Sequence, residues 1–383
     1  MNFSDFRLDD FIFPLFIYEN ENVYRQSLKS GYMNSSKVYL HRLEILLEQL
    51  IKLNVSQILL FGIPRRRTKN GDLSSAKRGL IQSSIRKIRE NFGNDFTIFS
   101  DVCLCQYNTS GQCGIVSDRS GNVVVKRGNS YDNVIDNDKT LQSLGRVSLS
   151  LCESGTDFIA PSSMMDGQVL YLRKLLNSHG FGTVKILSYS AKHNSCLYSP
   201  FRNNNYLHAD FIDKSSYQCS INNKSESIRE LLLDIEEGAD WIMIKPSLWY
   251  MDIIKQARKL VNVPLVVQNV SGEYALLRSL LESEQLYGLS FGINIFDEKK
   301  LDPRSDEIGN VRIKPVLRNR GQVQKSKRHI DNIRNPGPFA GNSNPDFALI
   351  SKFLLSLKRA GADKIITYFL LDIIKNKDNS KLI

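Results

Sequence analysis

The sequence lacks the features that mark membrane, secreted and nucleic-acid-binding proteins. Among its 383 residues, no apolar run is long enough to cross a bilayer. The first residues include acidic side chains and no signal-peptide hydrophobic region. No helix-turn-helix, RNP or paired-cysteine finger pattern accompanies the net charge of +11. We therefore expect a chain that binds neither membranes nor nucleic acid, and whose basic charge suits an acidic small substrate.

Cysteine is scarce, with six residues in the chain, and this argues against a disulfide framework and for a reducing, cytoplasmic compartment. Cys103, Cys105 and Cys113 nevertheless form a C-x-C-x7-C pattern. Three thiolates that leave the fourth tetrahedral position open are typical of catalytic zinc. Gln106 and Gln112 are neutral, so no acidic pair favours a harder metal there. The alternative is three free cysteines in a loop.

No G-x-G-x-x-G follows any apolar run, which disfavours a dinucleotide-binding sheet. Eight short apolar runs alternate instead with amphipathic stretches, and this pattern predicts an α/β fold, a closed (β/α)8 TIM barrel with an extended N-terminal arm. A doubly wound open sheet is the alternative. The expected strands are Phe11–Tyr18, Gln57–Ile63, Phe96–Leu104, Asp157–Ala160, Val184–Tyr189, Trp241–Ile244, Pro264–Gln268 and Lys364–Phe369. The expected helices span 38–53, 79–92, 140–154, 169–178, 227–238, 250–260, 273–283 and 347–360.

Three segments depart from this alternation. Residues 1–36 hold the first strand and otherwise resemble an extended arm, and a long polar loop occupies 114–139. The barrel is assigned to 37–291 and 346–383. Residues 292–345 are a basic, polar insertion that we expect to be flexible. The insertion is either padding without function or, alternatively, a phosphate- or nucleic-acid-binding segment.

Two lysines lie at the ends of neighbouring predicted strands. Lys245 ends the sixth strand, where Pro246 prevents a simple continuation, and Lys192 follows the fifth. The carboxyl ends of the strands form the active site of a (β/α)8 barrel. Two adjacent ammonium groups repel, so each is expected to lower the pKa of the other and to favour a nucleophilic amine near pH 7. For either lysine alone, a solvent-facing strand end is the simpler explanation.

Other polar side chains follow the same strand ends. Arg202 is suited to bidentate binding of a carboxylate. Asp166, after the fourth strand, is either a helix N-cap or a catalytic group. The remaining candidates for substrate binding are Lys214, Gln218, Ser271 and Tyr368.

Six motifs, in order along the chain, resemble those of the porphobilinogen synthase (5-aminolevulinate dehydratase) family: DVCLC…CG, APSSMMDGQV, SYSAK…YSPFR, IKPSLWYMDII, VSGEYAL and GADKIITYF. The resemblance covers roughly residues 10–290 and 345–375. It implies a (β/α)8 barrel with an N-terminal arm, assembled as a homo-octamer. It also implies the condensation of two molecules of 5-aminolevulinate into porphobilinogen, with loss of two waters, in heme biosynthesis.

The resemblance further implies residue roles. Lys245 would form a Schiff base with the P-site substrate and Lys192 with the A-site substrate, while the three cysteines hold the catalytic zinc beside the acid Asp101. In some members of the family a helix glutamate binds an allosteric magnesium, and Glu230 is the nearest match. The implied substrate-binding residues are Arg202, Phe201, Lys214 and Gln218 for the A site, and Ser271 and Tyr368 for the P site.

The chain departs from the family pattern at several positions around the site. Gln268 replaces a common Tyr, Gln112 a common His and Gln106 a common Glu. Lys214 replaces the usual Arg, which weakens bidentate carboxylate binding. The sequence leaves two other functions open. An aldolase-type Schiff-base lyase would need one lysine and no zinc loop. A catalytically impaired descendant would be retained for assembly or zinc binding.

Overall fold

Eight parallel strands form a closed barrel in the computed structural model, which describes residues 6–29, 31, 33–117, 134–200, 212–287 and 345–379. The strands are, in chain order, β1 (Phe11–Tyr18), β2 (Lys37–Tyr39), β3 (Gln57–Ile63), β4 (Thr97–Val102), β5 (Ile115–Val116), β6 (Ile135–Asp136), β7 (Phe158–Pro161), β8 (Lys185–Lys192), β9 (Trp241–Lys245), β10 (Leu265–Gln268) and β11 (Lys364–Ile366). All except β2, β5 and β6 belong to the barrel, which the pairing of β1 with β11 closes. The predicted TIM barrel is therefore confirmed, and the open sheet is excluded.

Helices surround the barrel and pack their apolar faces on it. They are, in chain order, α1 (Glu21–Leu28), α2 (Leu43–Lys52), α3 (Leu80–Phe92), α4 (Asn137–Cys152), α5 (Gln168–Ser178), α6 (Lys224–Glu236), α7 (Met251–Leu260), α8 (Ser271–Tyr287), α9 (Pro345–Ala360) and α10 (Leu370–Asn379). In α3, for example, Ile81, Ile85 and Ile88 recur every three or four residues and are all buried. In the part of the chain that the structure describes, no helix has the length and hydrophobicity of a membrane span.

The central strands are apolar on both faces. β1 and β3 are buried at every position, because the barrel interior covers one face and the helices cover the other. This double burial explains why FIFPLFIY and QILLFGI show no alternation of apolar and polar residues, and why short apolar runs were the sequence signal for the barrel.

Three arginine–aspartate pairs repeat at the amino-terminal ends of the strands. Each aspartate follows a glycine at positive φ in a G-x-D sequence and precedes β7, β9 or β11. Its carboxylate also accepts a hydrogen bond from a backbone N–H of the preceding barrel strand, that of Ile98, Ile186 or Leu265 respectively. These contacts join a helix and two strands at three alternate steps of the barrel, β4/β7, β8/β9 and β10/β11. The pairs are Arg89–Asp157, Arg173–Asp240 and Arg258–Asp363, with N–O distances of 2.6, 2.5 and 2.6 Å.

The structure corrects several predicted boundaries. The helix predicted over 38–53 begins only at Leu43, because Lys37–Tyr39 form β2 and pair with the end of β1. The segment predicted to be extended after the first strand contains α1, and the side chain of Asn20 caps the N-terminus of this helix. α1 was not predicted, because its residues are mostly polar. The final helix, α10, was not predicted either.

Two other predictions concern long segments. Within the polar loop predicted over 114–139, β5 and β6 form an antiparallel pair, and α4 begins at Asn137. The last barrel strand ends at Ile366, before the expected boundary, so Tyr368 lies in the turn that follows it. The predicted insertion over 292–345 falls almost entirely outside the described residues, and its role stays a prediction.

Candidate active site

Lys192 and Lys245 lie side by side at the carboxyl ends of β8 and β9, where they are register partners. Lys192 is buried, and its Nζ donates to the carbonyl oxygen of Ser162 at 2.5 Å. Lys245 is half-buried, and its Nζ lies 5.3 and 5.5 Å from the ring centres of Tyr189 and Tyr198. These are cation–π distances. The fold therefore brings the two predicted lysines into one site.

The pKa values of the two lysines shift in opposite directions. Burial, reinforced by the charge of Lys192, lowers the pKa of Lys245 to about 7. Burial also acts to lower the pKa of Lys192. The net pKa is nevertheless raised above the usual value, because the nearby cysteines, above all Cys113, and the carboxyl of Asp101 stabilise the charged amine. The prediction that each lysine lowers the pKa of the other is confirmed for the effect of Lys192 on Lys245. The net pKa of Lys192 is raised instead, because the cysteine loop lies closer than the sequence shows. One amine is thus poised as a nucleophile near neutral pH while its neighbour stays protonated.

β4 leads directly into the cysteine loop. Cys103, Cys105 and Cys113 are buried, and their Sγ atoms all lie within 4.8 Å of one another. Hydrogen bonds from the other two thiols, aided by nearby lysines, hold the pKa of Cys113 well below its usual range. Lys214 contributes to this, with its Nζ 3.2 Å from the Cys113 Sγ. Three converging sulfur donors, one of them already stabilised as a thiolate, fit a soft metal such as zinc.

Asp101, one residue before the end of β4, faces the same cavity as Cys105 and the two lysines. Burial is the main cause that raises the pKa of its carboxyl, and Ser162 and both lysines oppose that shift. Its Oδ1 is buried and has no hydrogen-bond partner within the described part of the chain. A carboxyl group in this position is able to exchange a proton with a bound molecule.

A cavity of about 610 Å³, counting the part that is open to solvent, joins the lysines to the cysteine loop. Among the described residues, the buried Oη of Tyr189, Oε1 of Gln218 and Oε1 of Gln268 have no hydrogen-bond partner, and all three residues line this cavity. A polar ligand would satisfy them. The predicted site residues that line the cavity are Asp101, Cys105, Lys192, Lys214, Gln218, Lys245, Ser271 and Tyr368.

The two hydroxyl candidates reach the cavity from different elements. Ser271 begins α8, and its Oγ donates to the carbonyl oxygen of Leu197 at 3.3 Å. Tyr368 packs its ring on Phe16, with the ring centres 6.2 Å apart. Both residues are therefore fixed by packing at the carboxyl face of the barrel. Arg202 and Phe201 lie outside the described residues, and their roles stay predictions.

Two acidic candidates do not line this cavity. Glu230 lies on α6, pairs with Arg229 at 3.4 Å, and faces a separate cleft. Asp166 is exposed and binds Asn137 through its backbone. The N-cap position of α5 belongs to Gly167, so the N-cap interpretation of Asp166 is wrong. The structure gives Asp166 no contact with the lysines.

Two tyrosines of the site, Tyr189 and Tyr198, were not predicted from the sequence. Tyr189 and Lys192 are three positions apart, so strict alternation along a strand places them on opposite faces. A register shift in β8 between Ser188 and Ala191 turns both toward the cavity. Tyr198 comes from the short helix after β8. The only sequence signal for them was their proximity to Lys192 along the chain.

Comparisons with known proteins agree with this geometry. A family model described as "Delta-aminolevulinic acid dehydratase" matches residues 2–287. A curated protein of that name from Methanothermus sociabilis is 37% identical over 287 residues, covering 73% of this chain and 81% of the relative. Another from Halalkalibacterium halodurans is 32% identical over 368 residues, covering 96% and 89%.

A solved structure shares the fold. It is delta-aminolevulinic acid dehydratase (porphobilinogen synthase) from Toxoplasma gondii in complex with the reaction product porphobilinogen. The match has a TM-score of 0.72 at 24% identity and covers 97% of this chain and 85% of that chain. At this level of identity the likeness supports the (β/α)8 architecture alone.

Proposed function

Because the chain belongs to the delta-aminolevulinic acid dehydratase family, we propose that it is a porphobilinogen synthase, a hydro-lyase of heme biosynthesis. It condenses two molecules of 5-aminolevulinate into porphobilinogen and releases two waters. The observation that carries this proposal is the meeting of Lys192, Lys245 and the cysteine loop in one cavity. An aldolase-type enzyme needs one such lysine and no sulfur cluster.

Lys245 is the amine that attacks first in this proposal. Its pKa of about 7 leaves a large fraction neutral at physiological pH, and the neutral amine is the nucleophile toward the ketone of 5-aminolevulinate. The amine adds to the carbonyl carbon and a water leaves, which gives the P-site Schiff base. The rings of Tyr189 and Tyr198 lie at distances that stabilise a cationic nitrogen there.

Lys192 forms the second Schiff base, with the A-site substrate. It must first lose a proton, since its pKa is raised. Asp101 is the proposed proton acceptor, because its pKa is raised by burial and its carboxyl interacts with the charges of both lysines. Lys214 and Gln218 bind the A-site carboxylate together with Arg202, and Phe201 forms an apolar wall. Ser271 and Tyr368 bind the P-site carboxylate.

Cys103, Cys105 and Cys113 hold zinc in this proposal. Zinc held there would supply a Lewis acid for the reaction of the second substrate. Cys105 lines the cavity, so the sulfur cluster has access to bound substrate. A magnesium ion at Glu230, remote from the lysines, is proposed as an allosteric cofactor.

The proposed assembly is a homo-octamer in the cytoplasm. The six cysteines are free thiols, as expected in a reducing compartment. The proposed partners are 5-aminolevulinate and further copies of this chain, with no nucleic acid and no membrane.

One assay tests the proposal. The purified chain is incubated with 5-aminolevulinate and zinc, with and without a chelator, and porphobilinogen is measured. We expect product that depends on zinc, and borohydride trapping followed by peptide mapping should modify Lys245. Folded, zinc-loaded protein that makes no product would refute the proposal and favour a catalytically impaired member of the family. Trapping at another lysine would overturn the assignment of Lys245.

A further inference from the structure

The cysteine loop is fastened to a segment about 100 residues further along the chain. The Oη of Tyr217 donates to the Oε1 of Gln112 at 2.6 Å, and the Nε2 of Gln112 donates to the carbonyl oxygen of Asp213 at 2.9 Å. The backbone N–H of Cys113 in turn donates to the Oη of Tyr217 at 3.1 Å. These three hydrogen bonds form the Gln112–Tyr217 bridge.

In the bridge, the Gln112 amide accepts through its oxygen and donates through its nitrogen, and the Tyr217 hydroxyl donates one hydrogen bond and accepts another. Gln112 is buried, and the ring of Tyr217 packs on the three cysteines. Removing either side chain would leave buried polar atoms of the other unpaired, which costs more than the net value of one hydrogen bond. The two side chains therefore act as one unit.

The same segment carries two cavity residues. Lys214 and Gln218 flank Tyr217, and both are buried and line the cavity with the lysines of β8 and β9. The Nζ of Lys214 reaches the Sγ of Cys113 at 3.2 Å. The position of the last sulfur donor and the positions of two ligand-binding residues thus depend on one set of contacts.

We propose that the Gln112–Tyr217 bridge couples metal binding at the cysteine loop to the binding of a carboxylate ligand by Lys214 and Gln218. The bridge fixes the position of Cys113 together with the positions of Lys214 and Gln218, so a metal that orders the cysteine loop also orders the residues that bind the carboxylate. By reciprocity, the ligand raises the affinity for the metal by the same factor. Gln112 and Tyr217 are positioning residues, and the identity of the ligand rests on the proposed function.

The test uses protein in which Lys245 has first been blocked by borohydride-trapped levulinate, so that the P site is filled. Zinc affinity is then measured by competition with a chromogenic chelator, with and without further saturating levulinate, a keto acid whose carboxylate is left to bind at Lys214 and Gln218. We expect levulinate to tighten zinc binding by roughly 5-fold or more in the natural chain, as for a typical coupling. Tyr217→Phe keeps the packed ring and removes the hydroxyl. It should weaken zinc binding about 10- to 100-fold, as loss of an outer contact to a ligand loop does, and abolish the effect of levulinate.

Two controls separate coupling from damage to the fold. Tyr171→Phe, in a half-buried tyrosine of α5, should leave zinc affinity and the levulinate effect unchanged. The double variant Gln112→Leu/Tyr217→Phe should bind zinc no more weakly than the worse single variant, because the two residues act through one contact. Additive losses would contradict the bridge as a unit.

The inference fails if Tyr217→Phe, with an unchanged melting temperature, binds zinc like the natural chain or keeps the full levulinate effect. This failure is distinguishable from failure of the proposed function. A chain that makes porphobilinogen but shows no coupling overturns only the bridge. A chain that makes none, yet shows coupling that Tyr217→Phe removes, keeps the bridge and overturns the proposed reaction.

Discussion

The charge of Lys192 accounts for part of the reactivity that the structure gives Lys245. Burial comes first and the charge of Lys192 second among the causes that lower the pKa of Lys245 to about 7. We predict that Lys192→Met, which removes the charge and roughly keeps the length of the side chain, raises the pKa of Lys245. The new pKa should stay below the usual lysine value, because burial persists in the variant.

The size of the effect follows from the geometry. The two residues are register partners on adjacent strands, and such strands are about 4.8 Å apart. Two unit charges about 6 Å apart at an effective dielectric constant of about 20 repel by about 3 kcal/mol, or about 2 pKa units. This is an upper limit, since Asp101 and the thiolates partly offset the charge of Lys192. With a pKa of about 7, roughly half of the Lys245 amines are neutral at pH 7. With a pKa two units higher, only about 1% would be neutral.

The assay follows the initial rate of reductive trapping of levulinate at Lys245 as a function of pH, quantified by peptide mass mapping. The natural chain should show a midpoint near pH 7, and Lys192→Met should move it upward. Lys192→Arg keeps the charge and serves as the matched control, with a midpoint close to that of the natural chain. An identical midpoint in Lys192→Met and the natural chain would refute the role of Lys192. A natural midpoint near that of a free lysine would refute the role of burial.

Three further predictions concern metal binding and stability. Cys113→Ser should lose stoichiometric zinc, measured by atomic absorption, and retained zinc would contradict the three-sulfur site. Arg173→Met should lower the free energy of unfolding in urea by about 1–3 kcal/mol, because Asp240 and two carbonyl oxygens lose their donor. The control Arg229→Met, which removes an exposed ion pair, should lower it by less than about 1 kcal/mol. Burial lowers the pKa of Lys37 to about 8 in the folded chain. In the unfolded chain the Lys37 amine keeps its proton to higher pH, so the free energy of unfolding should rise between about pH 8 and 10. Lys37→Met should remove that rise and increase the free energy of unfolding in urea by about 2 kcal/mol at pH 7. A destabilised variant would show that the hydrogen bond from Lys37 to Ser27 outweighs the cost of desolvation.

Much of the architecture follows from the sequence itself. Short apolar runs that alternate with amphipathic stretches predicted all eight barrel strands, because parallel strands buried on both faces leave a strong local signal. The same reasoning located Lys192 and Lys245, since the strand ends of a barrel face one side. Local signals failed where they are weak: α1 is polar, and β2 is only three residues long.

What the sequence by itself determined is the barrel, the pair of lysines and the three-thiol loop, because each depends on spacing along a few residues. Only the tertiary structure decided how these groups affect one another. The opposite pKa shifts of the two lysines depend on the distance to the cysteines, and the inward turn of Tyr189 depends on a register shift in β8. The Gln112–Tyr217 bridge joins residues that are 105 positions apart. Electrostatic and hydrogen-bond energies depend on distances through space, and periodicity along a chain carries no information about those distances.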